Sequence, residues 1–173
     1  PGGKGFPRLE LMTTSREVQK TMAEAIQGMW KKHLGVHVDI RSCEWTAYKF
    51  AQNSMQYDFS SSSWSGDYLD PSSFLDLWSS ASGNNNTGWS RPEYERLLAE
   101  SRATGDQEKR MALLARAEAL MLSESPVIPL YWARRSYLKR PEVRGWHPLL
   151  LDNHLFEDIS LGAPREQGKE AAP

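Results

Sequence analysis

The tightest constraint on the fold is the run from residue 8 to residue 40, where an amphipathic stretch lies between two β-prone ones. RLELMTT (8–14) reads as a strand. Val18, Met22, Ala25, Ile26, Met29 and then His33 or Leu34 recur at steps of three and four, which gathers apolar side chains on one helix face. Thr14 stands three residues before Glu17, a capping-box spacing, and Gly35 can take the left-handed conformation that ends a helix. VHVDI (36–40) alternates at period two with β-branched residues and reads as a second strand. Strand, helix, strand at this spacing is a parallel crossover, almost always right-handed. The expected class is α/β, a central, mostly parallel sheet with crossover helices.

Beyond it, EWTAYKFAQNS (44–54) predicts a shorter helix and YDFSSSSW (57–64) a third strand, although serine is a poor strand former. One helical segment is expected between Pro71 and Trp78, and ASGNNNTG (81–88) is a loop by composition. Within it Asn85, Asn86 and Thr87 match the N-glycosylation triplet, a pattern common by chance. Ser90 and Glu93 repeat the capping-box spacing with Pro92 in the first turn of a helix whose inward face is Tyr94, Leu97 and Leu98. Asp106 can cap the next helix, with Met111, Leu114, Ala117 and Met121 on one face, so the pair forms a helical hairpin. PVIPLYWARRSYLKR (126–140) is β-rich, with Pro126 and Pro129 confining its first half to an edge.

At 173 residues the chain is long enough for one folded unit that buries about 70% of its unfolded surface. A net charge of −1 with no long basic run argues against nucleic acid as a partner. Cys43 is the only cysteine, which rules out an internal disulfide and a Cys-rich zinc site. His33 and His37 have the spacing of two ligands on one helix face, but Gly35 should break that helix, so neither metal nor cofactor is expected. No phosphate-cradling glycine loop, dinucleotide fingerprint, Gly-x-Ser-x-Gly elbow or His-Glu-x-x-His is present. Ser65, His147 and Asp67 could be drawn as a triad, yet nothing in the sequence gathers them, and the chain is not expected to be an enzyme.

The tract Trp64-Ser65-Gly66-Asp67-Tyr68-Leu69-Asp70 contains two acids and no base. If the three strands form a parallel sheet, Asp67 follows the carboxyl end of the third, where open α/β sheets bind ligands. Asp67 is then either a turn residue or the receptor for a positive charge. Asp70, before Pro71, reads as the cap of the following helix. Trp45, opening a helix just after the second strand, belongs to the same rim and could form an aromatic wall.

These residues resemble a known family, the bacterial extracellular solute-binding proteins of the oligopeptide and dipeptide type, the capture subunits of ABC importers. The likeness is carried by Glu44-Trp45, by Tyr57-Asp58-Phe59, above all by the tract from Trp64 to Leu75, then by Asn84-Asn85-Asn86, Tyr94-Glu95, Ala117-Glu118 and Pro126-Val127-Ile128-Pro129-Leu130-Tyr131. It implies the C-terminal lobe of a type II periplasmic-binding-protein fold: a leading segment (1–7), the ligand-binding lobe (8–161) and a flexible tail (162–173). It also implies that Asp67 receives the α-amino group of a short peptide, that Trp45 flanks the bound chain, and that Trp64, Ser65, Gly66 and Tyr68 line the same site. Members of this family often carry an arginine six residues before that acid, and here the position is Ser61.

The implied partners are a peptide ligand, an N-terminal lobe that this chain lacks and an ABC permease, at the periplasmic or extracellular face of the membrane. The chain thus reads as one lobe cut from a longer protein, with self-association expected where an opened cleft bares apolar surface. A lobe for another small solute (a sugar, an opine or a metal chelate) and a protein-interaction module using the hairpin are the alternatives.

Overall fold

The computed structural model describes residues 3, 5–134, 136–149 and 151–162. They fall into two compact units, one of residues up to 64 with 71–127, the other of residues 65–70 with those from 128 onward. The expected tail lies, from residue 163, outside the described residues.

The first unit begins with the expected crossover. Strand β1 (Leu9–Thr14) leads to helix α1 (Glu17–Leu34), which ends at Gly35 with φ of 68°, and then to β2 (Val38–Cys43). The two strands pair in parallel over six residues, from Leu9 opposite Val38 to Thr14 opposite Cys43. Because β1 runs through Thr14, that residue does not cap α1. The N-cap is Arg16 with no side-chain capping bond, and the Thr14 hydroxyl is buried without a hydrogen-bond partner among the described residues. Helix α2 (Trp45–Asn53) follows, capped by the Glu44 carboxylate, which accepts from Thr46 N at 2.7 Å.

Strand β3 is far shorter than the expected 57–64. Only Phe59–Ser60 pairs with β1, in parallel, with one further bond from Ser61 N to Met12 O at 2.9 Å. The order β2-β1-β3 makes β1 central. Its alternate side chains face opposite layers: Leu11 packs with Ala23 and Ile26 of α1, Met12 with Tyr48 and Ala51 of α2. A sheet covered by helices on both faces is the arrangement that parallel strands require.

The remainder of this unit is helical. Helix α3 (Ser72–Leu75) has Pro71, not Asp70, at its N-cap and continues as one 3-10 turn (Asp76–Trp78). Helices α4 (Pro92–Ala103) and α5 (Gln107–Glu124) form the hairpin. Asp106 caps α5 as expected, accepting from Lys109 N at 3.1 Å, whereas α4 is preceded by Arg91 and the Ser90 box does not form. Tyr94, Leu97 and Leu98 are buried against Leu114, Ala117 and Met121, with Leu113 rather than the half-exposed Met111 completing the seam.

In the second unit the expected β-rich tract differs most. None of the described residues from 126 to 140 is in a strand. Two short strands, β4 (Val143–Arg144) and β5 (Ser160–Leu161), pair antiparallel instead. Tyr137 meets Trp146 edge to face at 4.4 Å, and Trp146 stacks on His154 at 4.9 Å, whose Nε2 lies 2.9 Å from Asp152 Oδ1.

Candidate binding rim

In a sheet of order β2-β1-β3 the chain steps from β1 to β2 on one side and then crosses back to β3 on the other, which puts the switch point at the carboxyl ends of β1 and β3. Those ends are Thr14 and Ser60. Thr13, wholly buried one residue earlier, also has a hydroxyl with no hydrogen-bond partner among the described residues.

A polar ladder fixes the β3 side of this crevice. The buried Tyr48 donates its hydroxyl to Ser61 O at 2.6 Å and lies 3.0 Å from Ser60 Oγ. Gln52, also buried, donates to Tyr48 Oη at 3.1 Å and reaches Ser60 Oγ at 3.3 Å. Buried polar groups satisfied this fully are rigid, because any displacement leaves one of them unpaired. The Tyr48 ring in turn supports Trp45, stacked on it at 5.9 Å with planes 19° apart. Trp45 remains 58% exposed. An indole held flat on a buried tyrosine yet open to solvent is an aromatic wall with its ordering cost already met.

Trp64 lies in the same unit, its Nε1 donating to Ser73 O at 3.1 Å, so its ring anchors the chain to α3. Ser65, Gly66, Asp67 and Tyr68 belong to the other unit, in a bend where Asp70 N donates to Tyr68 O at 2.9 Å. Asp67 and Tyr68 are exposed. The site residues read from the sequence are thus divided between the units, with Trp45 and Trp64 in one and the Ser65–Tyr68 segment in the other. Tyr48, Gln52 and Lys49, which support Trp45, were not among them. The i, i+4 step from Trp45 to Lys49 and from Tyr48 to Gln52 was the available signal.

The described residues contain no group of three or more His, Cys, Asp and Glu side chains that could hold a metal ion, and no helix long and apolar enough to cross a membrane. The glycosylation triplet has a structural role. Asn85 Nδ2 donates to the carbonyls of Trp78 (3.1 Å), Ser79 (3.3 Å) and Trp89 (2.9 Å), and its Oδ1 accepts from Thr87 Oγ1 at 2.7 Å.

Residues 2–86 match the family described as bacterial extracellular solute-binding proteins, family 5 middle. The chain is 36% identical over 141 residues to the oligopeptide-binding protein OppA of Bacillus subtilis (strain 168), which accounts for 81% of this chain and 26% of that protein. A solved periplasmic oligopeptide-binding protein, OppAIV of Borrelia burgdorferi, superposes with a TM-score of 0.83 at 32% identity, over 93% of this chain and 33% of its own. Haemophilus influenzae OppA in complex with RPPGFSPFR does so with a TM-score of 0.79 at 25% identity, over 89% of this chain and 31% of its own. The chain therefore spans about a quarter of the length of the curated relative and about a third of these solved structures.

Proposed function

Because this chain belongs to the bacterial extracellular solute-binding proteins of family 5, we propose that it is the C-terminal lobe of a two-lobe protein that captures short peptides for ABC-type import. The observation that carries this reading is the likeness of 89% of the chain to an OppA solved with a peptide. The family is one of solute-binding proteins, and the reading is binding without catalysis. Its partners are an N-terminal lobe that closes over the peptide and a permease in the membrane. The lobe then works at the periplasmic or extracellular face.

The rim supplies chemistry suited to a peptide. Trp45 offers a flat apolar face already ordered by Tyr48, at low entropic cost to the complex. Asp67 is the receptor for the peptide ammonium, in a segment with two acids and no base that also holds Ser65, Gly66 and Tyr68, and Trp64 is a further contact to the ligand. A carboxylate enclosed with a cation by a closing cleft gains far more than the same pair in bulk water.

The test is the ligand that the protein carries. A two-lobe protein containing this lobe, purified without refolding and extracted with acid, should release peptides a few residues long, identified by mass spectrometry. Release of non-peptide solutes alone would remove the peptide reading and leave only the family.

A further inference from the structure

The rim also carries a cation, Lys49. Lys49 lies one turn into α2, and its Nζ is 5.9 Å from the centre of the Trp45 ring. The same ammonium donates to Gln52 Oε1 at 2.7 Å, and Gln52 is committed through its amide to Tyr48 and Ser60. The position of the charge is therefore set from below by the buried ladder. Among the described residues no carboxylate pairs with it.

Two further features make this an attractive place for an anion. Lys49 is the fifth of the nine residues of α2, and the helix begins on its Trp45 side. The nearest acid in the chain on that side, Glu44, is turned to the helix amides, whose bonds hold its carboxyl below the usual range. It is spent on capping. A lysine ammonium has three donors, and Gln52 takes one. The others can meet a carboxylate while the Trp45 face covers the adjoining apolar part of the ligand.

We propose that Lys49 is a specificity-determining residue that receives a carboxylate of the bound peptide beside the Trp45 ring. This rests on the peptide-binding reading. A free carboxyl terminus and an acidic side chain share the chemistry, and the choice of ligands separates them.

Three short peptides serve as probes for calorimetry on the two-lobe protein: one with neutral side chains and a free carboxyl terminus, its carboxamide, and a carboxamide with one glutamate. The protein should bind one of the acids about tenfold tighter than the neutral amide, the scale of one charge-assisted contact at a half-exposed site. Lys49→Gln should abolish that preference, with any loss for the neutral amide smaller than the loss for the responding acid, and Lys49→Arg should restore it. Which acid responds identifies the source of the carboxylate. A preference that survives Lys49→Gln, or an equal loss for all three ligands, would overturn the assignment. Binding of all three without preference would also overturn it while leaving peptide capture intact. Binding of none would remove both.

Discussion

The hydroxyl of Tyr94 donates to the carbonyl of Leu75 at 2.6 Å, tying α4 to the short helix α3 from within the larger apolar cluster. Tyr94 is fully buried, with its ring edge to face against Trp89 at 4.8 Å. Tyr94→Phe keeps the ring and leaves a buried carbonyl unsatisfied, which costs about 1 to 3 kcal/mol. Urea denaturation should show that loss without a change in slope. A change under about 0.5 kcal/mol, the range of ordinary surface substitutions, would mean that another donor serves Leu75.

The same phenol predicts an alkaline limit. Burial pushes its pKa well above the usual value, with Asp76, Glu95 and Glu118 adding to the effect. The folded state thus keeps a proton that the unfolded chain releases from about pH 10 upward. This contribution is fully present below pH 10 and is lost as pH rises toward the higher folded value. Between pH 10 and 11 the stability gap between wild type and Tyr94→Phe should narrow by up to about 1.4 kcal/mol per pH unit. A gap constant across that interval would show that Tyr94 ionises alike in both states.

Asn85 holds the loop before α4 by bonding three carbonyls with one amide. Asn85→Ala strands those acceptors in a partly buried turn and should cost about 2 kcal/mol. Asn85→Asp should be no better, because it replaces the donors with a charge facing the same carbonyls. Thermal unfolding of the two variants checks this, and an aspartate variant at wild-type stability would contradict the donor role.

The crossover was legible because its signals are local. The apolar repeat predicted the helix but only part of its inward face: Ala23 and Ile26 are buried with Met22 and Trp30 packed on them, whereas Val18, Ala25 and Met29 are exposed. The glycine at 35 and the alternation in VHVDI need no partner to be read. The capping boxes failed for a non-local reason: the six-residue ladder with β2 keeps Thr14 in the strand and hands the cap position to Arg16. Strand β3 shrank because its ladder reaches only Phe59 and Ser60, whereas propensity says nothing of where a partner ends. The tract 126–140 shows the same limit, since a β-rich composition marks a chain able to pair but supplies no edge to pair with. At the rim, Trp45 could be placed from its position after β2. The ladder under it depends on Ser60 and Ser61 meeting Tyr48 and Gln52, a contact that no spacing announces.

The second unit presents large apolar groups to solvent, among them Trp132 at 86% and Phe156 at 85% exposure. Surface of this kind favours association when it is contiguous. Light scattering on the 173-residue chain should therefore show apparent mass rising with concentration. A monomeric profile at high concentration would count against this expectation.

Asp67 carries the most specific prediction. If its carboxylate meets the ammonium of the peptide, Asp67→Asn removes the charge while nearly preserving shape. Truncating one partner of an enclosed ion pair costs about 2 kcal/mol or more, roughly thirtyfold in Kd. In the two-lobe protein that loss should fall on peptides with a free amino terminus. N-acetylated peptides have no such charge, so wild type should already bind them poorly and the variant should change little. Calorimetry with both peptides on both proteins forms a double-mutant cycle whose coupling energy isolates the contact. A coupling near zero, with both ligands weakened alike, would move Asp67 from ammonium receptor to a residue that shapes its own loop.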